Sequence, residues 1–152
     1  MDETYIKVKG EWRYLYRAVD KYSKTIDFLL TKQRDEQAAK KFLIKAIRRH
    51  GGVPEKITID GSAANEAAIK SYNAEHGTAI IIRQVKYLNN IVEQDHRAVK
   101  RLTRPIMGFK SFAAAQSTLV GIELMHMIRK GQVESDEFEG LTVAQQFYAL
   151  AL

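Results

Sequence analysis

Thr4-Tyr5-Ile6-Lys7-Val8-Lys9-Gly10-Glu11-Trp12-Arg13-Tyr14-Leu15-Tyr16-Arg17-Ala18-Val19 reads as two strands about one turn. In the first, Ile6 and Val8 alternate with Lys7 and Lys9, which puts the apolar pair inward and the lysines outward. Gly10-Glu11 makes the turn, and the aromatic, β-branched run from Trp12 to Val19 suits a pleated, half-buried surface. After a polar turn over residues 21–24, Thr25 to Thr31 (TIDFLLT) forms a third strand. Short turns between the three make an antiparallel meander.

The apolar period then lengthens. Asp35 caps a helix carrying Ala38, Ala39, Phe42, Leu43, Ala46 and Ile47, and Gly51-Gly52 ends it. Lys56-Ile57-Thr58-Ile59-Asp60 is a short buried-type strand, Ser62 to His76 a second helix, and Thr78 to Val85 a fifth strand. A third helix runs from Asn90 to Arg104 and stops at Pro105. A long fourth one covers Ser111 to Lys130, and a short one starts at Thr142. A strand reached through a crossover helix lies parallel to its neighbour. The order therefore predicts an α/β chain with a ribonuclease H-like fold, a five-stranded mixed sheet flanked by helices.

The chain has 152 residues, 45% hydrophobic and 28% charged, which suits one soluble globular domain. With no cysteine there is no disulfide framework, thiol nucleophile or cysteine-ligated zinc. No apolar run reaches the roughly 20 residues of a membrane span. The net charge of +6 is unevenly spread. Residues 131–152 hold Glu134, Asp136, Glu137 and Glu139 and no base, leaving +10 on residues 1–130. A basic body of that kind fits a polyanion, nucleic acid first.

Among the acids, Asp2 shares the parity of Thr4, Ile6 and Val8, and Asp60 projects from the carboxyl end of a buried strand, where α/β sheets place ligands. The ordinary reading of Asp60 is a helix cap. Glu93 lies in the first turn of the third helix, where it completes a capping-box-like pair with Asn90. Arg97 and Lys100 follow on its face, with Arg101 and Arg104 beyond. That row is either a solvated, salt-bridged face or a carboxylate set beside a phosphate backbone. Two strand acids and one helix acid can hold divalent ions for phosphoryl transfer if the first and fourth strands are neighbours. Magnesium takes oxygen ligands, so histidine and cysteine are not required.

These segments resemble a known family. Residues 1–10 and 12–20 look like the start of the catalytic domain of bacterial DDE transposases of the insertion-sequence-six group. Ile57-Thr58-Ile59-Asp60 matches that family's second acid, and Lys86-Tyr87-Leu88-Asn89-Asn90-Ile91-Val92-Glu93-Gln94-Asp95-His96-Arg97 its third. Residues 108–112 and 121–132 resemble its C-terminal signature. The resemblance implies a ribonuclease H-like core over residues 1–132 followed by a tail over 133–152. It implies metal ligation by Asp2, Asp60 and Glu93 with Mg2+ or Mn2+ and a DNA contact from Lys100, and the basic row read above adds Arg97, Arg101 and Arg104 as expected DNA contacts. The implied reaction cuts at transposon ends and joins the freed 3′ hydroxyl to target DNA, in the bacterial cytoplasm at the nucleoid. Transposon-end and target DNA are the implied partners, together with a second copy of the chain. The family places a helix-turn-helix region and further strand residues before the first acid, so Asp2 is expected at a fraying terminus. A second reading is an inactive remnant that binds DNA or self-associates.

Other features carry less. Trp12, Tyr14 and Tyr16 share a strand face and are expected to pack or to meet a subunit. The four histidines have no metal-ligand spacing, and His96 is expected on an exposed helix face. There is no Walker loop or G-x-G-x-x-G, so no nucleotide cofactor is expected. Leu119, Ile122, Met125 and Ile128 mark the core side of the long helix.

Overall fold

The computed structural model describes residues 1–85, 90–133 and 136–150. Lys86-Tyr87-Leu88-Asn89, which open the third acidic motif, and Glu134 of the acidic run lie outside the described residues.

The meander forms as the alternation predicts. Strand β1 (Asp2–Val8) pairs antiparallel with β2 (Glu11–Val19), and β2 with β3 (Thr25–Thr31). Lys9 and Gly10, with φ of 51° and 78°, make the hairpin turn. Successive left-handed residues match the twist of the paired strands. The register sets Asp2 opposite Arg17, Tyr5 opposite Tyr14 and Lys7 opposite Trp12.

Helix α1 (Glu36–His50) starts at Asp35, whose carboxylate accepts the Ala38 N–H, and ends at Gly51 in the left-handed conformation. Strand β4 (Lys56–Thr58), helix α2 (Ala63–His76) and strand β5 (Ile81–Arg83) follow, and β4 and β5 pair in parallel. Helix α3 (Asn90–Thr103) gives way to a 3-10 turn at Arg104–Ile106, where Pro105 cannot continue the ladder. Helix α4 (Phe112–Arg129) is capped by the Ser111 hydroxyl, and α5 (Val143–Leu150) closes the described chain. No helix among the described residues is long and apolar enough to cross a membrane.

The expected five-stranded sheet is two sheets here, β1-β2-β3 and β4-β5. The backbone ladder does not continue from β1 to β4. They touch where the Met1 ammonium donates to the Thr58 carbonyl at 2.7 Å. Beside that contact a cleft of about 610 Å³ separates the ends of β2 and β4, with Ala18, Val19, Ile26, Leu43 and Ile57 in its walls. The first and fourth strands are neighbours, as the convergence of acids requires, but through one hydrogen bond.

Each face of the meander has its own core. Tyr16 and Ala18 pack under α1 and α2 with Phe42, Leu43, Ile57, Ile59 and Ile69. Ile6, Val8, Leu15 and Leu30 pack under α3 and α4 with Val99, Phe109 and Leu119. Leu119 and Ile128 of α4 are buried, as expected, but so is Glu123 on the same helix. Of the three aromatics on β2, Tyr16 is buried and Tyr14 half-buried, whereas Trp12 is 55% exposed. Helix α1 covers only the Tyr16 end of that face.

Candidate metal centre

Three carboxylates meet at the junction of the two sheets. Oxygen atoms of Asp2, Glu3 and Asp60 lie within 4.8 Å of one another. Asp2 enters from β1 and is buried together with Met1. Its Oδ1 accepts the Glu3 N–H at 2.9 Å. Asp60 follows β4, whose pairing continues one residue past its end through Ile59 N to Arg83 O. The cap position of α2 belongs to Ser62, not Asp60. The Asp60 carboxylate accepts the Ser62 N–H at 3.1 Å, which aims it toward Asp2.

Glu3 is the member that reading the strand did not single out. Its side chain is buried on the α1–α2 side, accepting from Arg34 Nε and, at 2.8 Å, from the Asn65 amide. Alternation sends Glu3 and Asp2 to opposite faces, but at the end of a strand both can reach the same gap between sheets. The one signal in the sequence for Glu3 was its place next to Asp2 at the strand's start.

Burial, then the charge of Asp60, pushes the Asp2 carboxyl up to about 7, with Glu3 adding to the effect. Close packing of carboxylates at low dielectric, with Glu3 alone paired to Arg34, is the circumstance that a hard divalent cation relieves. The donor set, all oxygen and all carboxylate, fits Mg2+ or Mn2+ and suits soft metals poorly.

Glu93 lies outside this cluster, half-buried on α3. One turn further on, His96 Nε2 stands 3.6 Å from Asp2 Oδ2. His96 is 5% exposed, contrary to the expected solvent position, because α3 packs that side against β1 and β2. Burial, with the charges of Arg17 and Lys100, pushes its pKa down to about 3, so the ring is neutral. Arg97, Arg101 and Arg104 are exposed and Lys100 half-buried, a cationic row that runs along α3 into the 3-10 turn after it.

The position of α3 is fixed by a buried charge network. Arg17 Nη2 reaches Asp95 Oδ2 at 3.2 Å and Glu123 Oε2 at 2.9 Å, and Lys130 Nζ reaches Asp95 at 2.5 Å. His126 Nε2 stands 3.4 Å from Asp95 Oδ1. Burial works against the charged form of Asp95. The contacts of His126 and Lys130 and the charge of Arg17 outweigh it and hold the carboxyl below its usual range. These ties join β2, α3 and α4 behind the acidic cluster.

Comparisons with known proteins identify the family. A family profile described as "DDE domain" matches residues 1–132. The chain is 39% identical to the transposase for insertion sequence-like element IS431mec of Staphylococcus aureus strain N315, over 93% of this chain and 62% of that protein. The same figures hold for the Staphylococcus aureus transposase for insertion sequence element IS257 in transposon Tn4003. The chain thus spans 62% of the length of these relatives. Among solved structures, a chain of the simian T-cell lymphotropic virus intasome, in complex with PP2A regulatory subunit B56 gamma, superimposes with a TM-score of 0.54. That match has 25% identity and covers 66% of this chain and 37% of the other. With its acids gathered at the sheet junction and the profile matched over most of its length, the chain belongs to the DDE transposases of the insertion-sequence-six family.

Proposed function

We propose that residues 1–132 are a ribonuclease H-like catalytic core that cuts DNA at transposon ends and joins the freed 3′ hydroxyl to target DNA, with 133–152 a tail. The observation that carries this reading is the convergence of Asp2 and Asp60 with Glu3 at the sheet junction. Asp2, Asp60 and Glu93 are the proposed ligands of Mg2+ or Mn2+, and Glu3 stands behind them, held by Arg34 and Asn65. Such an ion, when bound, activates the attacking oxygen and stabilises the leaving one.

The rest of the work falls to the chain itself. Arg97, Lys100, Arg101 and Arg104 bind backbone phosphates and set the strand's register, contacts that position DNA without reading its sequence. The Arg17–Asp95–Glu123 network keeps α3, and with it Glu93, at a fixed height over β1. Neutral His96 beside Asp2 excludes water from one side of that carboxylate. The protein acts in the bacterial cytoplasm as at least a dimer, because two transposon ends must be brought together.

Calorimetric titration with Mn2+, followed by cleavage and joining assays on pre-cut transposon ends, tests the proposal. Asp60→Asn abolishes metal uptake and product, and Glu93→Gln abolishes product, while both keep the fold. Wild-type product from either variant overturns the reading. The place of Glu93 outside the cluster favours a second reading, a core that binds DNA without chemistry. Joined product from the wild type excludes it.

A further inference from the structure

At the uncovered end of the β1–β2 face, Tyr5 is 44% and Trp12 55% exposed. Tyr5 meets Trp12 edge-on at 6.1 Å and Tyr14 at 5.4 Å. Lys7 Nζ lies 5.8 Å from the Trp12 ring centre and the Arg34 guanidinium 5.9 Å from that of Tyr5. The two rings open into a cleft of about 640 Å³ at the outer edge of β1, where Phe109 docks on the strand, closed on its far side by Lys100, Arg104 and Met107. Met107 is 90% exposed. Three cations and no acid line the cleft among the described residues.

Exposed aromatic rings interleaved with lysine and arginine fit a nucleic-acid strand: bases stack on the rings and phosphates meet the cations. In a duplex each base face is covered by its neighbours, so a protein ring can stack on a base only where the strand is unpaired. The cleft also has the volume of a small-ligand site, which suits single bases and not a double helix. Tyr5 lies three residues along β1 from Asp2, about 10 Å at strand rise. Arg34 links the two places directly, donating to the Tyr5 hydroxyl at 3.1 Å and to Glu3. A strand entering the metal centre would therefore lead into this cleft.

We propose that the cleft binds unpaired nucleotides of the DNA strand that runs to the Asp2–Glu3–Asp60 cluster. Separate bases stack on Trp12 and on Tyr5, whose ring planes lie 79° apart, and the flanking phosphates meet Lys7, Lys100 and Arg104. The inference rests on the DNA-binding reading above, and goes beyond it in asking for a single strand at a defined place.

Trp12 is the only tryptophan of the chain, so its emission reports on the cleft alone. The full chain is titrated with dye-labelled oligothymidylate, a blunt duplex and the same duplex carrying a single-stranded overhang. DNA anisotropy and Trp12 emission are read together. The expected result is strong quenching of Trp12 by the single strand and by the overhang, and binding of the blunt duplex with no quenching. Tyr5→Ala and Trp12→Ala, with the fold checked by circular dichroism, weaken single-strand binding about 5- to 150-fold, the range covered by one lost base stack. Both leave blunt-duplex affinity within about twofold. Single-strand binding with unchanged emission, equal quenching by blunt duplex, or equal weakening of both DNA forms overturns the inference and leaves DNA binding standing. Failure to bind any of the three DNAs overturns both.

Discussion

Arg17 and Glu123 form an ion pair at 2.9 Å with neither side chain exposed, 106 residues apart in the chain. The pair joins the centre of the meander to α4, and Asp95 brings α3 into the same knot. Removing one partner of a buried pair leaves an uncompensated charge in a dry environment. Because Asp95 still faces Arg17, Glu123→Ala is expected to cost about 3 kcal/mol in urea unfolding, the low end for breaking a buried pair. Glu123→Gln keeps an acceptor for Arg17 and costs less. A loss below 1 kcal/mol for the alanine variant, on the order of a surface pair, would show that the network is hydrated in solution.

Metal uptake should appear as stability. A ligand that binds only the folded state adds about 2.7 kcal/mol at a hundred times its dissociation constant. Mn2+ at that level is expected to raise the unfolding midpoint of the wild type and leave that of Asp60→Asn unmoved. An equal rise in both would place the ion elsewhere.

The acidic junction also makes the metal-free chain sensitive to pH. Asp2 is held up to about 7, above its ordinary 3.8, so the folded state carries its proton where the unfolded chain has lost it. Its contribution to stability is complete below pH 4 and is lost as the pH rises through 7. Asp2→Asn has no such proton. Its stability relative to wild type is expected to improve across that window at about 1.4 kcal/mol per pH unit, up to a ceiling of about 4 kcal/mol.

His96 slopes the other way. Its pKa is held down to about 3 against an ordinary 6.5, so its burial destabilises the folded state as the pH falls from 6.5 toward 3. His96→Gln should gain on wild type over that range in guanidinium unfolding. The Met1 amine, lowered to about 6, acts in the same direction between pH 8 and 6. Comparing each variant with wild type separates these overlapping slopes.

Gly108 shapes the cleft beside Trp12. Its φ of +109° lies where side chains are strained, and an added Cβ would meet the Lys7 carbonyl at 3.5 Å. That carbonyl already accepts the Phe109 N–H at 2.8 Å, docking the turn against β1. Gly108→Ala is expected to cost about 1–3 kcal/mol by thermal melting. No loss would mean that the turn re-forms away from the strand.

How much of this was legible in the sequence follows the range of the forces involved. Local signals located α1 to the residue, because the Asp35 cap and the Gly51 left-handed stop are short-range chemistry. Alternation gave β1 and placed Asp2 on the face of Ile6 and Val8, and the aromatic run and the polar turn gave β2 and β3. The acids were harder. Asp60 was found as a strand-end acid and Asp2 by parity, but Glu3 joins them only because the strand begins at a gap open to both faces. Arg17, Asp95, His96 and Glu123 were invisible for another reason. Charged residues are ordinarily solvated, and only partners brought from distant segments make their burial tolerable. The split sheet depends on backbone pairing between β1 and β4, which no local pattern encodes.

That split has a mechanical side. Asp2 stands on one sheet and Asp60 on the other, and one backbone hydrogen bond, from Met1 to Thr58, spans the strands between them. Their like charges push the two halves apart. An ion gripped by both carboxylates would act as a rivet beside the core that Tyr16, Ala18, Ile57 and Ile59 already share. Such an ion would then govern stiffness as well as chemistry, and amide exchange along β4 would slow when it is taken up and quicken when it leaves.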